Sequence, residues 1–133
     1  MQSEKTSEAV DTFRRYTQAF QTLDPHAVVR YFSEPALMIT PQGVSALPDG
    51  AAVEEAYRHV MSDLPARGYS RTEFSPLVER HLSTDLVAVS GAGAWKSVSG
   101  ADLLHFGMTF TLRRDAGAWR IVVAAIHDPQ PAQ

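Results

Sequence analysis

The feature that most constrains this chain is the hairpin predicted by its last third, which follows a first half that is mostly helical. Two largely apolar segments, residues 103–114 and 119–127, flank the turn Asp115-Ala-Gly-Ala118. Strands of this length need a packed layer to bury their apolar side chains. Because the helices come first, we predict an α+β fold. A curved, mostly antiparallel sheet should wrap around the N-terminal helices as a cone-shaped barrel with an internal pocket.

Three segments of the first half carry helical patterns. Between about residues 7 and 22, apolar residues recur every three or four positions, so one helical face is apolar. The pair Asp24-Pro25 is typical of a helix start and predicts a short helix over 26–32, which Glu34-Pro35 ends. Asp49 and Gly50 cap a third predicted helix at about 51–64.

The sequence also predicts strands before the terminal hairpin. A brief strand over 37–40 ends at the turn Pro41-Gln-Gly43. Residues 71–82 read as one strand, and Pro76 inside it indicates an edge position, because proline cannot donate to a neighbouring strand. Residues 86–98 form the strand before the hairpin. Domain length and the run of elements predict a single domain over 1–133, with a core at about 8–128.

Composition excludes several classes of protein. The 133 residues are 44% hydrophobic and 20% charged, as in an ordinary globular protein. A formal net charge of -3 argues against a nucleic-acid partner, which needs a basic face. There is no cysteine, no apolar signal core and no apolar run of membrane-spanning length. We therefore expect a cytoplasmic protein without a membrane partner.

Alternation along the last three strands predicts which side chains face the interior. The inward set is Val87, Val89, Gly91, Gly93, Trp95, Leu104, Phe106, Met108, Phe110, Leu112, Trp119, Ile121, Val123, Ala125 and His127. The opposite face is also weakly polar, and a sheet that is apolar on both faces must be covered twice. The helices cover one face. We therefore predict a homodimer through the outer face, which carries Ala88, Ala92, Ala94 and Thr109.

The order of elements resembles the nuclear transport factor 2-like superfamily, which includes ketosteroid isomerases, SnoaL-like polyketide cyclases and dehydratases. The match spans about residues 8–128 and is carried by four segments. They are Arg-Tyr-Thr-Gln-Ala at 15–19, Leu-Asp-Pro-His-Ala-Val-Val-Arg-Tyr-Phe at 23–32, Gly-Ala-Ala-Val-Glu-Glu-Ala-Tyr at 50–57, and Arg-Asp-Ala-Gly-Ala-Trp-Arg-Ile at 114–121. The resemblance implies a cystatin-like barrel, but a shared fold of this kind does not name a reaction.

The resemblance implies site positions that this chain fills only in part. Tyr16 falls where ketosteroid isomerases place the oxyanion-binding tyrosine, and Tyr57 where a supporting tyrosine lies. The general-base carboxylate position falls on Thr40, and the protonated aspartate falls near Met108. A threonine hydroxyl does not abstract protons at neutral pH, and a thioether donates no hydrogen bond. Steroid isomerisation by that mechanism is therefore not expected.

Histidines supply the remaining candidates for proton transfer. The strand alternation directs His127 inward, near the open end of the cone, where an imidazole could act as acid or base. Alternatively, His127 is an inert residue at a strand end. His105 lies on the predicted dimer face, although a bulge near Gly107 would turn it towards the pocket. No set of residues forms a metal site, so neither a metal nor another cofactor is predicted.

Three hypotheses follow for the function. The first is a cofactor-independent isomerase, cyclase or dehydratase acting on a small hydrophobic molecule, with His127 as acid/base and Tyr16 as oxyanion donor. The second is a non-catalytic binding module in which Tyr16, Thr40 and His127 orient a ligand. The third is a dimeric scaffold whose cavity is filled by side chains. In the first two, the predicted ligand-binding residues are Met38, Thr40, Tyr57, Trp95, Met108 and Phe110.

Overall fold

The computed structural model describes residues 7–128 as two α-helices, a 3₁₀ helix and seven strands. The helices are α1 (Glu8–Phe20), the 3₁₀ helix (Pro25–Tyr31) and α2 (Gly50–Met61). The strands are β1 (Phe32–Thr40), β2 (Gly43–Leu47), β3 (Tyr69–Phe74), β4 (Val78–Ser83), β5 (Leu86–Ser97), β6 (Asp102–Asp115) and β7 (Ala118–His127). This confirms the predicted α+β fold with its N-terminal helices.

Short polar side chains fix where the helices begin. The Ser7 hydroxyl accepts a hydrogen bond from the Val10 N–H at 3.1 Å, and the Asp49 carboxylate accepts one from the Ala52 N–H at 3.0 Å. Asp24 caps the next helix in the same way, with its carboxylate 3.0 Å from the His26 N–H. That helix is 3₁₀ rather than α, and it ends at Tyr31 because Phe32 already has extended backbone angles.

The strands form one curved sheet in the order β2-β1-β7-β6-β5-β3, and β4 pairs with the remaining length of β5. The β1–β7 pair is parallel, whereas every other pair is antiparallel. Within residues 7–128 the two edges of the sheet do not pair with each other, so the cone is unclosed and is not a complete barrel.

Three features of the strands differ from the prediction. Strand β1 begins at Phe32, five residues earlier than expected; Pro35 is accommodated where the β1–β7 register shifts between Phe32 and Leu37. The predicted strand over 71–82 is two strands, β3 and β4, because the chain leaves the ladder at Pro76 and its neighbours. Strand β2 was missed because four of its five residues are exposed, so it has no alternating pattern.

The core lies between α1, α2 and the inner face of the sheet, which is defined here as the face towards the helices. Phe13 on α1 packs with its ring 5.2 Å from Phe110 of β6 and 5.4 Å from Phe74 of β3. Phe20 stacks on Trp95 of β5 at 5.9 Å. Aromatic side chains therefore connect α1 to three strands of the sheet, and they leave a cavity beside them.

The predicted inner faces of β5 and β6 are correct, but that of β7 is correct only up to Ile121. Leu112 lies opposite Ile121 and Thr111 lies opposite Val123, so the intervening residue bulges out of register. Beyond this bulge the inner positions are Ala124 and Ile126. The inward orientation predicted for Val123, Ala125 and His127 is therefore wrong, because one extra residue moves all three to the outer face.

Candidate functional site

A cavity of about 370 Å³ lies between the helices and the inner face of the sheet. Side chains of α1, α2 and strands β1, β3, β5, β6 and β7 form its wall. All eight residues predicted for the site line this one cavity. They are Tyr16, Met38, Thr40, Tyr57, Trp95, Met108, Phe110 and His127. Their position is thus known, whereas the role of each stays a prediction.

Most of the cavity wall is apolar and aromatic. Trp95 and Phe20 stack with an angle of 26° between their planes. Met108 is buried on the inner face of β6, and Phe110 follows it on the same face. Flat rings with few polar atoms favour a flat hydrophobic ligand.

The buried end of the cavity holds a pair of tyrosines. Tyr16 of α1 and Tyr57 of α2 are only 7% and 3% exposed, and their hydroxyl oxygens are 2.7 Å apart. Burial raises the pKa of both hydroxyls above the ordinary value, and for Tyr16 the neighbouring Tyr57 raises it further. Both groups are therefore neutral at physiological pH.

The number of hydroxyl protons in this pair determines how many hydrogen bonds it can donate to a ligand. Two neutral hydroxyls carry two protons, and the bond between Tyr16 and Tyr57 uses one of them. Among residues 7–128 neither hydroxyl has another hydrogen-bond partner. One O–H donor at the buried end therefore remains to be satisfied by something inside the cavity.

At the other end, which we call the mouth, β1 ends in polar residues. The Thr40 hydroxyl accepts a hydrogen bond from the Gln42 N–H at 3.2 Å, so it stabilises the turn after β1. Its own proton has no partner among the described residues. Thr40 can orient a ligand as a neutral donor, but it supplies no base.

His127 lies at the mouth on the outer side of β7. Its ring covers Gly107, where a side-chain carbon would come within 2.7 Å of the imidazole. Nδ1 is 2.9 Å from the Asp128 carbonyl oxygen, which can only accept, so Nδ1 carries the proton. Nε2 is therefore the acceptor. The Thr109 hydroxyl lies 3.3 Å from it and 3.5 Å from the Ser90 hydroxyl, and its single proton can bond only one of the two. Both ring nitrogens already have partners in this conformation.

His105 also borders the mouth, but it lies on the outer face of β6 opposite Ala94, because no bulge occurs near Gly107, and it is held by a carboxylate. Its Nε2 is 2.5 Å from Oδ2 of Asp102, and the Lys96 ammonium bonds the other oxygen of the same carboxylate. Hydrogen bonds from Lys96 and from His105 lower the pKa of Asp102 below its usual value. Asp102 is therefore ionised at neutral pH and accepts the Nε2 proton of His105.

Sequence reasoning missed the contribution of Asp102. In a regular strand, residues three apart point to opposite faces, so Asp102 and His105 should not meet. The β5–β6 register shifts, however, with Trp95 opposite Leu104 and Lys96 opposite Asp102. This bulge brings the carboxylate to the same face as His105. Nothing in the local residue pattern marks the bulge in advance.

Two further observations concern partners. Among residues 7–128, no three histidine, aspartate or glutamate side chains cluster closely enough to hold a metal ion. In the same part of the chain, no helix is both long and apolar enough to cross a membrane.

Solved structures share this fold at low sequence identity. An NTF2-like protein with a cystatin-like fold from Novosphingobium aromaticivorans has a TM-score of 0.76 and 18% identity, covering 94% of this chain and 82% of that one. An NTF2-like protein of unknown function from Shewanella oneidensis MR-1 has a TM-score of 0.71 and 17% identity, covering 96% and 100%. A protein of unknown function with a cystatin-like fold from Nostoc punctiforme has values of 0.73 and 12%, covering 92% and 90%. These likenesses establish the fold alone.

Sequence comparison identifies the family. No curated protein matches the chain in sequence. A family model described as NTF2-like protein (DUF6841) matches residues 7–129, which is nearly the whole chain. The resemblance inferred from the four sequence segments is thereby confirmed: the chain belongs to the NTF2-like family DUF6841.

Proposed function

We propose that this protein binds a small, flat, hydrophobic molecule that carries a carbonyl or another acceptor oxygen. The observation that carries the proposal is the tyrosine pair, which leaves one O–H donor without a partner at the buried end of an apolar cavity. A ligand oxygen bonded there would satisfy the donor while its rings replace water against the aromatic wall.

The size of the cavity supports a ligand of two or three fused rings. Its volume of about 370 Å³ falls within the roughly 300–1,000 Å³ of typical small-molecule sites. Trp95 and Phe110 provide flat contact surface, and Met108 can adjust to the outline of a ring. Binding of this kind requires no cofactor.

Two matched probes test the proposal. Tetralin and 1-tetralone have the same fused rings and differ by one carbonyl oxygen, so their difference in affinity isolates the contribution of that oxygen. We expect 1-tetralone to bind about fivefold more tightly, which corresponds to one net hydrogen bond of about 1 kcal/mol. Either calorimetry or NMR titration measures both affinities.

The variant that tests the donor is the double change Tyr16→Phe/Tyr57→Phe, because either single change leaves one hydroxyl in place. The double variant should bind tetralin as before and lose its preference for 1-tetralone. Tyr31→Phe is the matched control, since Tyr31 lies outside this cavity. A preference that survives the double change, or no binding of either probe to the native protein, would contradict the proposal.

A second candidate function is catalysis on such a molecule, of the isomerase, cyclase or dehydratase type that occurs in the nuclear transport factor 2-like superfamily. It is favoured by titratable residues that border the mouth, His105, His127 and Asp128, of a cavity whose buried end holds a hydroxyl pair that could stabilise an oxyanion. The predicted roles are His127 as acid/base and Tyr16 as oxyanion donor. In the present conformation His127 would first have to release the Thr109 hydroxyl.

We also propose that the protein is a homodimer through the outer sheet face. The support is the small, weakly polar outer surface of β5 and β6, which the described helices leave uncovered. Its members include Ala88, Ala92, Ala94 and Thr109. Light scattering should give twice the chain mass for the native protein and the chain mass for Ala88→Glu. A native protein of single-chain mass at high concentration would reject the dimer.

A further inference from the structure

We propose that Thr72 is a second binding group of this cavity, so that its ligand is a flat dicarbonyl compound held at the tyrosine pair and at Thr72. This inference rests on the proposed binding of a carbonyl oxygen at Tyr16 and Tyr57, and it adds the second polar group of the ligand. A second hydroxyl proton without a protein partner selects a ligand with a second acceptor oxygen.

The strand register places the Thr72 side chain on the inner face of the sheet. Thr72 of β3 lies opposite Trp95 of β5, whose ring stacks on Phe20 of α1. Phe74, two residues further along β3, packs its ring 5.4 Å from that of Phe13. The β3–β5 register is unbroken from Thr72 to Phe74, so both side chains point to the same face. Thr72 is accordingly part of the cavity wall.

Two hydroxyl groups meet at Thr72. Its Oγ1 lies 2.7 Å from the hydroxyl oxygen of Tyr69, a side chain that is 8% exposed. Burial raises the pKa of Tyr69 above the ordinary value, so the pair carries two protons at neutral pH. The bond between them uses one proton, and among residues 7–128 neither hydroxyl has another hydrogen-bond partner. As in the tyrosine pair, one O–H donor remains.

Burial decides which of the two hydroxyls keeps the free proton. Tyr69 does not line the cavity, so if Thr72 donated to it, the phenolic proton would be left without a partner in the interior. If Tyr69 donates instead, its proton is paired and the free proton belongs to Thr72, on the cavity wall. The second arrangement is therefore favoured, and a ligand oxygen in the cavity can accept the Thr72 proton.

Contacts on several sides hold this hydroxyl in place. The Thr72 backbone N–H donates to the side-chain oxygen of Gln21, at the end of α1, at 2.9 Å. The Tyr69 ring, which bonds the hydroxyl, packs against Phe20 at 6.0 Å and against Trp95 at 6.2 Å. A donor that is already positioned costs little ordering entropy when a ligand binds.

A comparison of threonines supports the assignment. Among residues 7–128, three threonines line the cavity: Thr17, Thr40 and Thr72. The Thr17 hydroxyl donates its proton to the Phe13 carbonyl oxygen at 3.1 Å, so it offers a ligand only lone pairs. Thr40 lies at the mouth, in the turn after β1. Thr72 is thus the threonine with a proton to donate on the inner face of the sheet.

One aromatic ring contacts both hydroxyl pairs. The Phe20 ring lies 6.1 Å from that of Tyr57 in the first pair and 6.0 Å from that of Tyr69 in the second. Trp95 stacks on the same ring. The cavity therefore donates a proton at two places along one aromatic wall. A flat ring system with two carbonyl oxygens, which only accept, satisfies both donors.

The probes are two matched pairs of substituted 1-tetralones. An acetyl group and an isopropenyl group have the same flat shape and differ by a carbonyl oxygen in place of a CH₂ group. Each is placed at carbon 6 and, in the second pair, at carbon 7. We expect native protein to prefer the acetyl compound of at least one pair by about fivefold, as for one net hydrogen bond. Calorimetry measures the affinities.

The variant that tests the donor is Thr72→Val, which keeps the branched shape and the strand preference of threonine and removes the hydroxyl. It should lose the preference for the acetyl compound and bind 1-tetralone as native protein does. Thr72→Ser retains a hydroxyl and should retain the preference. Thr111→Val is the matched control, because Thr111 lies opposite Ala88 on the outer face and does not line the cavity.

The outcomes separate this inference from the proposed function. If native protein does not bind 1-tetralone, the proposed function fails and the inference fails with it. If 1-tetralone binds but neither acetyl compound is preferred over its isopropenyl partner, the inference alone is overturned. It is also overturned if Thr40→Val abolishes the preference while Thr72→Val keeps it, because the second donor would then lie at the mouth.

Discussion

The two ends of the cavity differ in what holds their polar groups in place. At the buried end, Tyr16 lies among the rings of Phe13, Phe32 and Phe110 at 5.3–5.9 Å, so its hydroxyl is positioned by the core itself. At the mouth, His105 is exposed and is positioned by hydrogen bonds that depend on a strand bulge. At the buried end, the residues that line the cavity therefore also stabilise the fold. At the mouth, the residues that border the cavity can change without loss of the core.

This difference has a consequence for substitution. A change at the buried end alters the packing of the fold as well as the proposed ligand contact, whereas a change at the mouth leaves the packing of the core in place. The mouth can consequently vary between related chains without loss of the fold, and it is the part of the cavity that can set ligand specificity.

The largest effect is expected where α1 meets the sheet. Phe13 is 1% exposed and its ring contacts Phe74 and Phe110, so Phe13→Ala leaves a large void in the core. Substitutions of this type cost about 3–5 kcal/mol of unfolding free energy. Urea denaturation measures the loss. Val98→Ala, at a side chain that is 80% exposed, is the control and should change little. Comparable losses at the two sites would show that α1 is not packed as described.

A smaller effect is expected for the tyrosine hydroxyls. Tyr57→Phe leaves the buried Tyr16 hydroxyl without its partner, which costs about 1–3 kcal/mol. Adding Tyr16→Phe removes that unpaired group, so the double variant should be destabilised by less than the sum of the two single changes. Urea denaturation of the four proteins forms a double-mutant cycle. Additive losses would mean that the two hydroxyls do not interact in solution.

The free energy of unfolding at high pH should also depend on Tyr16 and Tyr57. In the unfolded chain a tyrosine ionises near pH 10, whereas burial raises the pKa of Tyr16 and Tyr57 in the folded chain. Above about pH 10 the folded chain therefore retains protons that the unfolded chain has lost, so the unfolding free energy falls as pH rises. Denaturation at several pH values above 9 should show this fall in the free energy of unfolding. The double phenylalanine variant should show a smaller slope, with the remainder partly due to Tyr69, whose pKa is also raised by burial.

The buried end was predictable from sequence, and the reason is its regularity. The resemblance placed Tyr16 and Tyr57 at the site, on the apolar faces of α1 and α2, and strand alternation placed Met108 and Phe110 on the inner face of β6. In these elements the pattern of apolar residues and the geometry of the backbone have the same period. The inward orientation of these side chains therefore follows from the sequence pattern.

The mouth was not predictable, because two bulges separate the sequence pattern from the direction of the side chains. One lies between Ile121 and Val123 and moves His127 to the outer face. The other lies at Leu103 and brings Asp102 beside His105. A bulge adds one residue to a strand and moves every side chain beyond it to the opposite face of the sheet. Because both faces of these strands carry apolar residues, the sequence pattern does not show this change.

The smallest effect on stability, and the sharpest test of the contrast, is expected for Asp102→Ala. Asp102 is exposed, and surface ion pairs of this kind contribute little to folding, so the urea midpoint should stay where it is in the native protein. The affinity for 1-tetralone, which is proposed to bind at the tyrosine pair of the buried end, should also be unchanged. If Asp102→Ala instead destabilised the fold as much as Tyr57→Phe does, the mouth would be part of the core, and the separation between recognition and stability would not hold.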